Sequence, residues 1–184
     1  VIGDDGVEGI AIGRDGLGKV YREIQLWARE LRRRGIILAV CSKNTESVAR
    51  EPFQRHPEMI LRDEDIAVFV ANWEDKASNI RHIQEVLNIG FDSMVFIDDN
   101  PMERAIVREQ LPEVTVPELP EAPEEYLPHL ESLGLFDTLS KASLDGMDRT
   151  RQYQVEAERV KERKASGNLD EFLANLEMTS TISS

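Results

Sequence analysis

Asp98 and Asp99 follow directly on the apolar run Met94-Val95-Phe96-Ile97. Two adjacent carboxylates at the rim of an apolar core repel one another, and a hard divalent cation offsets that cost. Mg2+ suits such a pair, because it takes one or two carboxylates and completes its shell with water and substrate oxygens. The plain alternative is a solvated turn in which Asp99 or Asn100 only caps the next helix. Ser42 closes a second apolar run, Ile36-Ile37-Leu38-Ala39-Val40, just before a predicted helix. Its hydroxyl and the neighbouring N–H groups can hold a phosphate oxygen, with Lys43 and Asn44 as further candidate contacts. A serine in that place can equally be a bare helix cap. Lys76 stands in the first turn of another predicted helix, at the end of the dipole that disfavours cations. A bound phosphate turns that repulsion into a joint anion site. Without one, Lys76 is expected to be exposed and paired with Glu74 or Asp75. Cys41, beside Ser42, is a candidate nucleophile if the helix terminus and Lys43 favour its thiolate. It is otherwise a small buried hydrophobe.

The elements that must carry these residues read as an α/β pattern. Residues 36–40 are short, apolar and β-branched, as expected of a strand buried on both faces in a parallel sheet. Met94-Val95-Phe96-Ile97 reads as a second such strand and Val114-Thr115-Val116 as a third. Residues 59–61 and 68–71 are weaker strand candidates. Val20, Ile24, Trp27 and Leu31 share one helical face, ended by Arg32-Arg33-Arg34 and Gly35. Helices are also predicted from about Thr45, over residues 75–87, and from Pro101 to about Gln110 with Asn100 as cap. Strand and helix alternate, which predicts a three-layer, Rossmann-like parallel sheet with helices on both faces. Right-handed crossovers then bring the strand C-termini, and with them Ser42 and Asp98, to one edge.

Residues 1–13 contain Asp5-Gly6 between apolar flanks and read as a small β-flap. The expected divisions are an α/β domain over 1–117, a Pro/Glu-rich linker with a short helix over 118–144, and a helical connector over 145–184. In that connector Thr150, Tyr153, Ala157 and Val160 form a thin stripe. Leu169, Phe172, Leu173 and Leu176 form a second apolar face.

Composition excludes several function classes. The 184 residues carry a formal net charge of −13, which opposes binding of a nucleic-acid backbone. No apolar run is long enough to span a bilayer, and no signal peptide is visible. A single cysteine fits a reducing compartment, so a cytoplasmic location is expected. His56, His82 and His129 share no metal-ligand spacing and are read as non-catalytic. The glycines at 13, 16 and 18 lack the preceding buried strand of a dinucleotide fingerprint.

The order Ser42, Lys76, Asp98-Asp99 differs from that of response-regulator receivers, where the acidic pair comes first. It resembles the haloacid dehalogenase (HAD) superfamily of Mg2+-dependent phosphotransferases. That resemblance implies Ser42 in phosphate binding, Lys76 in stabilising the phosphoryl intermediate, and Asp98 and Asp99 at the metal. The segments V-I-G-D-D-G-V-E-G-I, A-V-C-S-K-N, R-H-P-E-M-I-L-R, A-N-W-E-D-K and F-I-D-D-N-P-M-E-R look like the FkbH-like branch. The region to Leu176 looks like that family's connector towards an acyltransferase-like domain. The resemblance implies removal of phosphate from 1,3-bisphosphoglycerate and loading of glyceryl onto an acyl carrier protein for polyketide extender units. Cys41 would then be a candidate carrier of a transient glyceryl thioester. A generic phosphatase of a small phosphometabolite, or a non-catalytic docking scaffold, are the other readings.

The superfamily's first motif, a strand ending in Asp-x-Asp with the nucleophile and the general acid/base, is expected upstream of Val1. Asp4 and Asp5 lack the preceding apolar strand and do not replace it. The chain opens on Val1 in mid-pattern, so a piece of a longer protein is expected. Its missing strand would lie between residues 36–40 and 94–97. Residues 1–184 alone are therefore expected to fold poorly and to lack phosphatase activity.

Overall fold

The computed structural model of the chain describes residues 16–137 and 150–159. The expected flap over residues 1–13, and the connector beyond residue 159 with its second apolar face, lie outside the described residues.

Helix α1 (Gly16–Arg33) begins four residues before Val20, the first residue of the predicted face, and ends within the basic run, at Arg33. Its stop is a Schellman arrangement. Gly35 N–H donates to the Arg32 carbonyl at 2.9 Å and Ile36 N–H to the Leu31 carbonyl at 3.1 Å. This requires the positive φ of Gly35, +96°, a region that costs any residue with a Cβ.

The first strand departs from expectation. Strand β1 (Ala39–Lys43) is displaced towards the polar residues and is half-buried, with Ala39 and Lys43 exposed. Pairing explains the displacement. β1 runs parallel to β2 (Val68–Asn72), in the register Ala39 with Val68 through Lys43 with Asn72. The ladder therefore continues through Cys41-Ser42-Lys43 although those side chains are not a strand-like apolar set. Burial on both faces fails because β1 has one strand neighbour among the described residues, and its other margin borders a cleft. The second apolar run is also less than a full strand. Residues 94–97 and 114–116 meet only at the parallel bridge of Val95 with Thr115, and Ile97 is 38% exposed. The weak candidate at 68–71 is β2. The one at 59–61 is not a strand: the N–H groups of Ile60 and Leu61 both donate to the Gln25 side chain of α1.

Helices cover both faces of the sheet. On one side α2 (Glu46–Arg55) contributes Ala49 and Phe53 to a cluster with Ile66, Phe69 and Ala71. On the other, α3 (Lys76–Leu87) sets Ile83, Val86 and Leu87 against Ala67 and Val68. Ala77 and Ile80 of α3 also meet Phe96, Val107 and Leu111, the last two from α4 (Pro101–Gln110) and its C-cap. Alternate residues of β2 thus serve opposite layers, as the strand period requires.

The chain beyond Pro117 returns to the domain. Helix α5 (Tyr126–Ser132) buries Leu130, and Phe136 stacks edge-on against Trp27 of α1. Residues 150–159 form helix α6, whose Tyr153 and Ala157 pack on the Val68–Ile83 cluster and whose Thr150 is fully buried. Three members of the predicted stripe therefore face the core, and Val160 lies outside the described residues. No helix is long and apolar enough to cross a membrane among the described residues.

Candidate functional site

Three connections, two of them from the C-terminal ends of β1 and β2, deliver side chains to one cleft. β1 ends at Lys43 and hands over to α2, placing Ser42, Lys43 and Asn44 on a cleft of about 540 Å3. β2 ends at Asn72 and hands over to α3, whose first residue is Lys76. The 94–97 segment hands over to α4 through Asp98, Asp99 and Asn100. All of Ser42, Lys43, Asn44, Lys76, Asp98 and Asp99 line this one cleft. Its inner wall is apolar and includes Val40, Phe53 and Met59.

Lys76 is held by its own turn. Asp75 caps α3: its carboxylate accepts from Ser78 N–H at 2.8 Å and from the Ser78 hydroxyl at 2.7 Å. Those bonds hold its carboxyl below the ordinary range. Asn72 and Asn79 exchange side-chain amide bonds of 3.0 and 2.8 Å across the same turn. So anchored, Lys76 is not the exposed partner of Glu74 or Asp75. It is 9% exposed, and its Nζ donates to Asp98 Oδ2 at 2.6 Å and to the Cys41 carbonyl at 3.0 Å. Since the Leu38 carbonyl faces β2, where it accepts from Ala67 N–H, strand alternation turns the Cys41 carbonyl to the other margin of β1. The ammonium thus spans from β1 to the acidic turn.

The acidic turn combines both readings of its sequence. Asn100 does cap α4, accepting from Met102 N–H at 2.9 Å, and Pro101 opens the helix. Yet the Asp98 side chain is only 8% exposed rather than solvated. Its Oδ1 accepts from Asn100 N–H at 2.9 Å. Asp99 is exposed on the cleft. Its charge reaches Tyr21 of α1, whose phenol is raised above its ordinary value first by burial and then by Asp99. Two hard carboxylates beside a cleft are a donor set that Mg2+ can use. No three metal-ligating side chains converge anywhere among the described residues.

The remaining candidates are less simply placed. Lys43 is drawn to Glu103 of α4, Nζ to Oε1 2.6 Å, while Glu103 Oε2 is buried without a hydrogen-bond partner. The Asn44 side chain accepts from Thr45 N–H at 2.7 Å and so also serves its own turn. Cys41 is not set up as a thiolate. Burial pushes its thiol up to about 11, Lys76 opposes that shift, and Asp98, Glu103 and Asp75 add to it. Its Sγ lies 3.9 Å from the Lys76 carbonyl.

Two residues carry the turn without having been assigned a role from sequence. Arg104 of α4, 5% exposed, donates from Nη1 to the carbonyls of Asp98 and Asp99 at 2.9 and 3.0 Å. Its Nη2 meets Glu118 Oε2 at 2.9 Å. Hydrogen bonds from Arg104 and Arg108 hold the Glu118 carboxyl below its ordinary value. Both residues lie outside the apolar periodicity, and only the position of Arg104 in the run D-D-N-P-M-E-R pointed towards it.

No family model and no curated protein matches the chain. Among solved structures it is similar to the N-terminal part of the protein BF1531 from Bacteroides fragilis, which contains a phosphatase domain and was crystallised in complex with Mg. The match is 63% identical with a TM-score of 0.74, and covers 76% of this chain and 38% of that one. The chain thus spans well under half of that relative. Its fold is mixed α/β, with parallel strands between helices, matching that phosphatase-domain structure.

Proposed function

We propose that the cleft belongs to a Mg2+-dependent phosphatase of the HAD type, acting on a small phosphorylated molecule. The observation that carries this is the Lys76 bridge. It joins the end of β1, which bears Ser42, to the carboxylate of Asp98 in one cleft. The similarity to a phosphatase domain crystallised with Mg supports the same reading.

In this reading Asp98 and Asp99 hold Mg2+, and the bound ion shields the negative oxygens of the phosphoryl group. Lys76 places a positive charge where charge develops during transfer, and the Ser42 hydroxyl donates to a phosphoryl oxygen. The attacking carboxylate comes from the Asp-x-Asp segment that the family resemblance implies upstream of Val1. Its oxygen bonds to phosphorus as the ester oxygen leaves with the electron pair and takes a proton. Water then releases phosphate from the acyl phosphate.

The finer reading is that of an FkbH-like protein: the substrate is 1,3-bisphosphoglycerate, and the glyceryl group passes to an acyl carrier protein. A phosphatase without carrier transfer is the second reading, favoured by the phosphatase domain of the similar structure. The experiment is phosphate release by the full-length protein with and without Mg2+, together with intact-mass analysis of a carrier protein. Asp98→Asn should raise the Mg2+ requirement, and Lys76→Ala should mainly lower kcat. An unchanged Mg2+ requirement in Asp98→Asn removes Asp98 from the metal. A carrier that gains no mass leaves the simple phosphatase.

A further inference from the structure

Metal-binding carboxylates need a fixed direction as well as a charge. Asp98 is steered through its side chain by Asn100 N–H and Lys76. Asp99 is exposed, and what fixes its direction is its main chain. Arg104 grips that main chain: one nitrogen, Nη1, donates to both successive carbonyls. A buried guanidinium needs a counter-charge. Glu118 supplies it, at 2.9 Å from Nη2 and 3.3 Å from Nε. Glu118 is in turn paired with Arg108, which donates twice to the Val116 carbonyl at 3.1 and 2.9 Å. The acidic turn, α4 and the segment after Thr115 are thereby tied into one brace.

We propose that Arg104, backed by Glu118, is a positioning residue that sets the Mg2+ affinity of the Asp98-Asp99 turn. This rests on the metal reading above. The fork is essential, because an ammonium cannot grip two carbonyls and a carboxylate in one plane. Charge and geometry predict opposite signs here. If Arg104 mattered only as a nearby positive charge, neutralising or loosening it would strengthen cation binding. As a brace, its loss weakens binding.

The test is titration calorimetry of Mg2+ alone into the full-length protein and its Arg104→Lys, Arg108→Gln and Asp98→Asn variants, with thermal unfolding recorded in the absence of metal. Arg104→Lys should raise the Kd about tenfold, the size of effect seen when groups that orient metal ligands are lost. Arg108→Gln, which frees Glu118 from its second partner, should move it the same way by less, whereas the loss of a positive charge alone would tighten binding. The Arg108 side chain is 36% exposed, so it carries the test if Arg104→Lys does not fold. An unchanged or tighter Kd in both folded variants, with Asp98→Asn abolishing binding, overturns the brace and leaves the metal reading standing. A lower Tm at unchanged Kd likewise makes the brace merely structural. A wild-type protein that takes no Mg2+, or an Asp98→Asn variant that binds normally, overturns both.

Discussion

Lys76 Nζ lies 2.6 Å from Asp98 Oδ2 and 3.0 Å from the carbonyl oxygen of Cys41. One ammonium therefore links three segments that meet only through the tertiary fold. The pair is nearly dry, with side chains 11% and 8% exposed. Its integrity is a stability question as well as a functional one.

Removing one member of a buried pair strands the other charge, at a cost of about 3–5 kcal/mol. Lys76→Met is expected to destabilise the protein by about that much. The double variant with Asp98→Asn should lose less than the two single losses added together. Urea unfolding of the four proteins measures this. Strict additivity would show that the two groups do not interact.

Cys41 should behave as a protected thiol. With its value pushed up to about 11 from an ordinary 9.0, alkylation by iodoacetamide should be slow at pH 8 and rise only as the pH nears 11. The sign for stability follows from linkage. The neutral thiol's contribution is whole below pH 9.0 and is lost as pH rises through about 11, because the unfolded chain gives up its proton first. Cys41→Ser should remove that alkaline loss. Fast labelling at pH 8 would contradict the burial described above.

Asp75 anchors the turn that presents Lys76. Asp75→Ala is expected to cost about 1 kcal/mol, the usual loss of a helix cap, and to lower turnover by loosening Lys76. Asp75→Asn keeps an acceptor and should cost less. The folded carboxyl is held below its ordinary 3.8 by Ser78, so its contribution is present above that pH and fades as the pH falls further. The stability gap between wild type and Asp75→Ala, measured by denaturation from about pH 6 downwards, should therefore narrow as the pH falls progressively below 3.8.

Arg32 and Asp65 form a second dry pair, 2.7 Å apart with side chains 9% and 10% exposed. It ties the end of α1 to the turn before β2. Arg32→Ala should cost about 3–5 kcal/mol. On the same helix, Lys19→Ala breaks a pair with Glu23 whose side chains are 62% and 47% exposed. That change should be worth about 0.5 kcal/mol or less. Equal losses in thermal or urea unfolding would refute the contrast.

Local chemistry was the legible part of this chain. Asn100-Pro101 and Gly35 mark helix ends through bonds to neighbours a few residues away, so their roles could be read in place, whereas Asp75, expected inside the helix or paired with Lys76, is instead the cap of α3. The end of β1 could not, because residues 41–43 become strand by pairing with 70–72, a partner that periodicity does not reveal. Residues 94–97 misled for the converse reason: an apolar run suggests a ladder, but only Val95 has a bridge partner. The convergence of Ser42, Lys76 and Asp98 was legible through strand–helix order and family resemblance. Arg104 and Glu103 were not, since charged residues on a helix read as a solvated face. Their burial depends on Glu118 and Lys43, which arrive from elsewhere in the fold.

Helix α6 has a practical consequence for anyone trimming this protein. The Gln154 side-chain amide donates to the Ile66 carbonyl at 2.8 Å, just ahead of β2, while Tyr153 and Ala157 roof Val68 and Ile83. A chain cut after residue 137 would lose that shutter, wet a greasy flank of the sheet and leave a sticky margin open to its neighbours. Cloning boundaries belong downstream of residue 159.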